Sequence, residues 1–204
     1  CPFADFFRRY GGSALLILGL IACYRISDVV MGVMSNSFYV DLQFSKTEVA
    51  TITKVYGVIM TLVGAALGGV LVMRFGTLRI LFLGAVLTAS TNLLFALLNE
   101  VGHDLELLTL IISLDNLSAG IATAAFVTYL SSLTNVAFSA TQYALFSSIM
   151  LLMPKLLAGF SGQVVEQIGY SSFFVGTSLL GIPVMILIIM VAKRGDALLP
   201  QADK

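Results

Sequence analysis

Six apolar runs, each at or above the about 20 residues that cross the hydrocarbon core of a bilayer, constrain this chain more than any other feature. They occupy about 12–40, 47–74, 78–99, 105–133, 140–166 and 171–193, with short polar or glycine-bearing breaks between them. Lipid offers no partner to an exposed backbone amide or carbonyl, so runs of this length must be helices that satisfy their backbone internally. Breaks this short make consecutive helices antiparallel neighbours. The residues are 58% hydrophobic and 11% charged, against about a quarter charged in soluble domains. The expected fold class is therefore an all-α integral membrane bundle of six transmembrane helices over 12–194, flanked by 1–11 and a tail at 195–204. The opening Cys1-Pro2-Phe3-Ala4-Asp5-Phe6-Phe7-Arg8-Arg9 has neither an initiator Met nor a signal-peptide pattern, so the chain is expected to continue from a longer protein.

Charge position sets orientation. Arg8, Arg9, Arg74, Arg79, Lys193, Arg194 and Lys204 fall on one side of the expected bundle and only Lys46 on the other, which by the positive-inside bias puts both ends of the segment in the cytoplasm. Eleven basic and eleven acidic residues cancel, an argument against nucleic acid as a partner. The single His103 lies in an outer break beside Glu100, Asp104 and Glu106 without metal-ligand spacing. No phosphate loop, HExxH or buried Ser-His-Asp set can be assembled, so neither a metal nor enzymatic chemistry is expected. Cys1 is terminal and Cys23 lies inside an apolar run, so no disulfide framework is expected.

Charges inside the runs are the candidate functional groups, because each costs several kcal/mol in a bilayer. Arg25 and Asp28 are three residues apart on one helical face. At 1.5 Å per residue, Arg25 lies roughly 20 Å in from the start of its span. The same counting brings Asp115 in the fourth run and Lys155 in the fifth to similar depths. Lys54, roughly 12 Å down the second run, either joins this layer or snorkels to the interface. Three cations and two anions leave one positive charge for an anionic substrate group such as a carboxylate. Asp115 can bind substrate, take a proton or pair with Lys155. Asn36 extends the face of Arg25 and Asp28, Asn116 adjoins Asp115, and Asn92 and Asn116 also suit helix-to-helix hydrogen bonding. Gly57, Thr61, Gly64 and Gly68 form a small-residue stripe that admits a close helix neighbour.

Gly69 and Gly76 recur as Gly162 and Gly169, both at an offset of 93 residues. Three helices separate the copies, so they fall on opposite sides of the membrane, as inverted three-plus-three repeats require.

The turn Gly69-Val-Leu-Val-Met73-Arg74-Phe-Gly76-Thr77-Leu-Arg79 resembles the loop signature of the major facilitator superfamily, with Gly69, Arg74, Gly76 and Arg79 as gating or packing residues. Met73 stands where that signature usually has Asp, and Thr77 where a basic residue is common. Pro2-Phe3-Ala4-Asp5-Phe6-Phe7, Asp115-Asn116-Leu117 with Gly120 and Thr123-Ala-Ala-Phe126, and Ser139-Ala-Thr-Gln142-Tyr-Ala-Leu145 are similar to the AmpG family of muropeptide permeases. The resemblance covers nearly the whole chain and implies the C-terminal half of a longer transporter, with 1–11 the end of a cytoplasmic inter-bundle segment. It further implies proton-driven import of anhydro-muropeptides across a bacterial inner membrane, an N-terminal six-helix bundle as partner, and no cofactor beyond the proton gradient. On this reading Arg25, Asp28, Asn36, Lys54, Asp115, Asn116, Gln142 and Lys155 bind substrate or couple protons, Asp28 or Asp115 titrating. A related facilitator for another anionic solute, or a non-transporting scaffold or receptor, fits the same charge layer.

Overall fold

The computed structural model describes residues 2–135 and 139–195; Cys1, residues 136–138 of the expected fourth break, and the expected tail from 196 through Lys204 lie outside the described residues. The described chain is helical, without strands. It begins with α1, Pro2–Tyr10, which turns at Gly11 in the left-handed region (φ 48°). A short 3-10 turn, Gly11–Ser13, leads into α2, Ala14–Cys23, and α3, Ile26–Asp41. The expected first span is therefore interrupted. Arg25 has φ −97° and ψ 6°, and the preceding Tyr24 is pinned, its ring stacked 4.4 Å from Phe126 and its hydroxyl donating to the Leu81 carbonyl at 3.1 Å.

Ser45 opens the second crossing with a capping box. Its hydroxyl accepts from the Glu48 amide (3.2 Å) while its own amide donates to the Glu48 carboxylate (2.8 Å), satisfying two otherwise orphaned donors. This crossing comprises α4, Lys46–Thr51, a π-helical turn Ile52–Gly57, and α5, Val58–Phe75. Gly76 (φ 87°) makes the sharp passage to α6, Thr77–Val101, and Gly102 (φ 89°) the passage out of it. Asp104 caps α7, Leu105–Leu133, by accepting from the Glu106 and Leu107 amides, both at 2.9 Å.

The last two crossings divide differently from the apolar runs. Helix α8, Ser139–Ala158, stops before Gly159 and Phe160; α9, Ser161–Leu179, bends at Gly169; and α10, Gly181–Gly195, follows. The expected fifth span, 140–166, thus consists of α8 and the start of α9. The expected sixth, 171–193, is the rest of α9 with α10. Among the described residues, five segments are long and apolar enough to cross a membrane: Asp5–Asp41, Lys46–Phe75, Thr77–Val101, Leu105–Leu133 and Ser161–Arg194. The 20-residue α8, diluted by Ser139, Thr141, Gln142, Ser147, Ser148 and Lys155, supplies the remaining helix of the bundle.

Gly76 and Gly169 adopt nearly the same backbone conformation, φ 87° and ψ 154° against φ 78° and ψ 167°. The recurrence in sequence is thus matched in backbone geometry, and both glycines end one helical piece and begin another.

Packing divides into two apolar clusters. One gathers Leu20 and Ile21 of α2, Leu81 of α6, Phe126 and Leu130 of α7, Phe146 of α8 and Val184 of α10 near the Gly76 end. The other gathers Phe38 of α3, Phe95 of α6, Ile111 of α7, Ala158 of α8 and Phe174 of α9 near the Gly102 end. The order of the clusters reverses from one crossing to the next, as antiparallel neighbours require. Glycines bring α5 against α7: a side chain on Gly68 would meet the Ile121 Cα at 2.9 Å.

Candidate transport site

Between the clusters, the first, third, fourth and last crossings carry polar residues. These are Arg25, Ser27 and Asp28 before and within α3, Thr91 and Asn92 of α6, Asp115, Asn116 and Ser118 of α7, and Thr177 and Ser178 of α9. Arg25, at the interruption of the first crossing, pairs through Nη2 with the Asp28 carboxylate and donates from Nη1 to the Thr123 hydroxyl at 3.2 Å. The two charged side chains keep 26% and 25% of their exposure, so the pair is accessible from the face they share. A pocket is lined here by Arg25, Asp28, Thr88 and Thr123.

Asp115 accepts from the Thr91 hydroxyl at 3.0 Å and lies within Coulombic range of Asp28. Among the described residues Asp115 makes no ion pair. Asn116 ties helices together: its Nδ2 donates to the Ile112 carbonyl (2.8 Å) and its Oδ1 accepts from the Thr61 hydroxyl of α5 (3.0 Å).

Asn92, fully buried, donates to the Ser27 and Thr177 hydroxyls at 2.9 and 3.2 Å. Ser27 in turn donates to the Thr177 carbonyl at 2.7 Å. This bonding joins α3, α6 and α9 behind the Arg25–Asp28 pair, and the Asn92 Oδ1 has no hydrogen-bond partner among the described residues. Membrane hydrogen bonds contribute about 0.6 to 1.7 kcal/mol. Asn92→Ala is accordingly expected to lower the detergent melting temperature slightly, by about 1 kcal/mol of stability, in a thermal-shift measurement.

The remaining candidates are spread along the bundle. Lys54, in the π-helical turn, lines a cavity of about 380 Å³ with Asn36, Tyr39, Lys46 and Thr53 near the Gly102 end. Lys155 is exposed, and neither lysine makes an ion pair among the described residues. Gln142 lies at the opposite end from Lys54: its Oε1 accepts from the Asn135 amide at 2.7 Å, and its Nε2 reaches Asp5 of α1. Sequence reasoning placed Gln142 with the substrate contacts because its motif is a family match; its first-turn position in α8 puts it at a helix end instead. In the α5–α6 turn Gly76 carries the left-handed backbone, Arg74 lies over the Phe75 ring at 5.6 Å, and Arg79 is exposed. Gly69 lies inside α5.

Thr91 and Thr123 were not singled out as site residues. An isolated threonine in an apolar helix carries little signal, and only the approach of α6 to α7 and of Arg25 to α7 gives these hydroxyls their partners. His103 stacks on Phe44 at 4.3 Å near Glu48. No metal-holding group occurs among the described residues.

Residues 15–203 match the Major Facilitator Superfamily. The chain is 33% identical over 193 residues to a protein of Rickettsia felis named putative transporter AmpG 4, covering 95% of this chain and 46% of that one. It is 32% identical over 190 residues to the anhydromuropeptide permease of Escherichia coli K12, covering 93% and 38%. A protein of Rickettsia bellii named putative transporter AmpG 1 is 30% identical over 180 residues, covering 88% and 44%. The chain thus spans less than half the length of these relatives. A helical bundle with an inverted glycine repeat, a polar layer at mid-depth and these likenesses together place the chain in the Major Facilitator Superfamily, among proteins similar to AmpG-type transporters.

Proposed function

We propose that this chain is the C-terminal six-helix half of a proton-coupled transporter that imports anhydro-muropeptides across a bacterial inner membrane. Both ends of the segment face the cytoplasm, and the half rocks against an N-terminal six-helix bundle. The observation that carries the reading is the accessible Arg25–Asp28 pair beside Asp115, held between two apolar clusters. Charges at that depth are costly unless they serve a path for solute or ions. The name of the Escherichia coli relative supplies the substrate class.

In this mechanism a proton on Asp28 releases the Arg25 guanidinium to take a substrate carboxylate, for which its planar fork is suited. Loss of the proton restores the internal pair and expels the solute. Asp115, held by Thr91, is the second proton carrier. Lys54 and Asn36 receive substrate in the cavity near the Gly102 end. Lys155 and Asn116 flank the path, and Gly69, Arg74, Gly76 and Arg79 meet the other half during rocking. No cofactor is required, because the proton gradient drives accumulation.

Uptake of labelled anhydro-muropeptide by vesicles carrying the full-length protein tests this. Asp28→Asn or Asp115→Asn is expected to reduce gradient-driven accumulation to simple equilibration. Unchanged proton-dependent accumulation in both variants removes the assignment. Competition by other anionic solutes, rather than by muropeptides, would indicate a different cargo, and binding without flux would indicate a receptor.

A further inference from the structure

Helix α1 is amphipathic and lies on the ends of two other helices. Phe6 is buried, with ring centroids 5.2 Å from Phe146 of α8 and 4.9 Å from Tyr10. This seats the Asp5 carboxylate, whose side chain is 12% exposed, over the junction of α7 and α8. Its Oδ2 receives Arg9 Nε at 3.2 Å, Asn135 Nδ2 at 3.2 Å and Gln142 Nε2 at 3.5 Å. Arg9 also donates from Nη2 to the Leu133 carbonyl at 2.9 Å, satisfying an acceptor that the end of α7 leaves open.

One carboxylate oxygen therefore gathers donors from α1, from the residues that follow α7, and from the first turn of α8. Because α1 runs into α2 through only Gly11–Ser13, the same contact ties the first crossing to the other two. Those three crossings carry Arg25 with Asp28, Asp115, and Lys155. Hydrogen bonds to a charged acceptor are the stronger kind, and this one is shielded from water on most sides.

We propose that Asp5 is a positioning residue, a clamp that fixes the Gly76-end spacing of the first crossing, α7 and α8 and thereby the mutual placement of the charged groups they carry. The clamp touches no substrate and acts through the helices it joins. Its effect on transport rests on the transport reading above.

The test uses the full-length protein in nanodiscs for amide hydrogen exchange and in vesicles for uptake. In Asp5→Ala, exchange at 131–135 and 139–146 is expected to accelerate about tenfold, the effect of losing hydrogen bonds to a charged group, while exchange at 105–125 stays unchanged. Asp5→Asn keeps an acceptor for Asn135 and Gln142 but loses the Arg9 ion pair, so it is expected to fall between Asp5→Ala and wild type. Gln142→Ala added to Asp5→Ala is expected to accelerate exchange further only at the Asn135 amide, which donates to the Gln142 Oε1 at 2.7 Å, since the remaining contacts belong to one network. In uptake, Asp5→Ala is expected to lower the maximal rate severalfold with apparent KM within about twofold, the pattern of altered conformational steps rather than lost substrate contacts.

Unchanged exchange at 131–146 in Asp5→Ala overturns the clamp, and so does faster exchange spread evenly over the whole bundle. A raised KM with an unchanged maximal rate overturns the positioning role. If wild-type vesicles show no uptake, the transport reading fails while the exchange measurement still decides whether the clamp exists.

Discussion

Arg25→Ala is expected to abolish accumulation of substrate and to destabilise the bundle by about 1 kcal/mol, the upper range for an ion pair that keeps part of its exposure. Arg25 is the ion-pair partner of Asp28 among the described residues, and its second donor holds Thr123 of α7. Without it, Asp28 loses that partner and α3 loses the hydrogen bond to Thr123. Removing both charges should undo much of that damage. Arg25→Gln with Asp28→Asn is expected to melt close to wild type, since a partly exposed ion pair contributes little net stability, yet to show no gradient-driven uptake. Thermal melting in detergent, paired with vesicle uptake, separates the two effects. An Arg25→Ala protein that melts like wild type would show that the pair does not hold α3 against α7.

The second large effect is steric. A side chain at Gly120 would begin 2.5 Å from the Thr61 carbonyl oxygen and 2.8 Å from the Ala65 nitrogen. Both are backbone atoms of α5 and cannot rotate away. One at Gly64 would meet the Leu117 carbonyl from the other side. Gly120→Val is therefore expected to force α5 from α7 and to cost about 1–3 kcal/mol or more, as overpacking in a tight interface does. The Thr61–Asn116 hydrogen bond, 3.0 Å long, breaks with that separation. Gly69→Ala in the same helix has open space around the new methyl group. It should leave the melting temperature almost unchanged, and equal melting of the Gly69→Ala and Gly120→Val proteins would refute the close contact.

Much of the helical layout was readable in advance, because a membrane permits few backbone solutions to an apolar run of this length. The glycine stripe through Gly57, Gly64 and Gly68 announced a close helix neighbour, and the structure identifies that neighbour as α7. The interruptions were less legible. The break before Arg25 depends on Tyr24 reaching Phe126 and Leu81, and nothing in the local sequence names residues so far along the chain. The stop after Ala158 falls inside an unbroken apolar run, where hydropathy cannot mark a bend.

Among the candidate site residues, depth could be counted along each helix but direction around it could not. Arg25 and Asp28 were bound to share a face, because the helical repeat puts residues three apart side by side. Asp115 was placed by counting at a similar depth, but its bond to Thr91 requires α6 to lie against α7 on that side. Lys155 was grouped with these charges by depth alone, and the turn of α8 leaves its side chain exposed. Gln142 carries the same lesson: its motif was conspicuous, but the fold sets it against Asp5 at a helix end.

The sequence by itself determined that the chain is a bundle of membrane-length helices with a few charges at intermediate depth, since the cost of an unsatisfied backbone in lipid and the fixed rise of a helix leave no alternative. Only the tertiary structure decided which charges meet. The rotation of each helix about its axis is set by side-chain packing with neighbours distant in sequence, such as Tyr24 on Phe126 and Gly120 on Thr61.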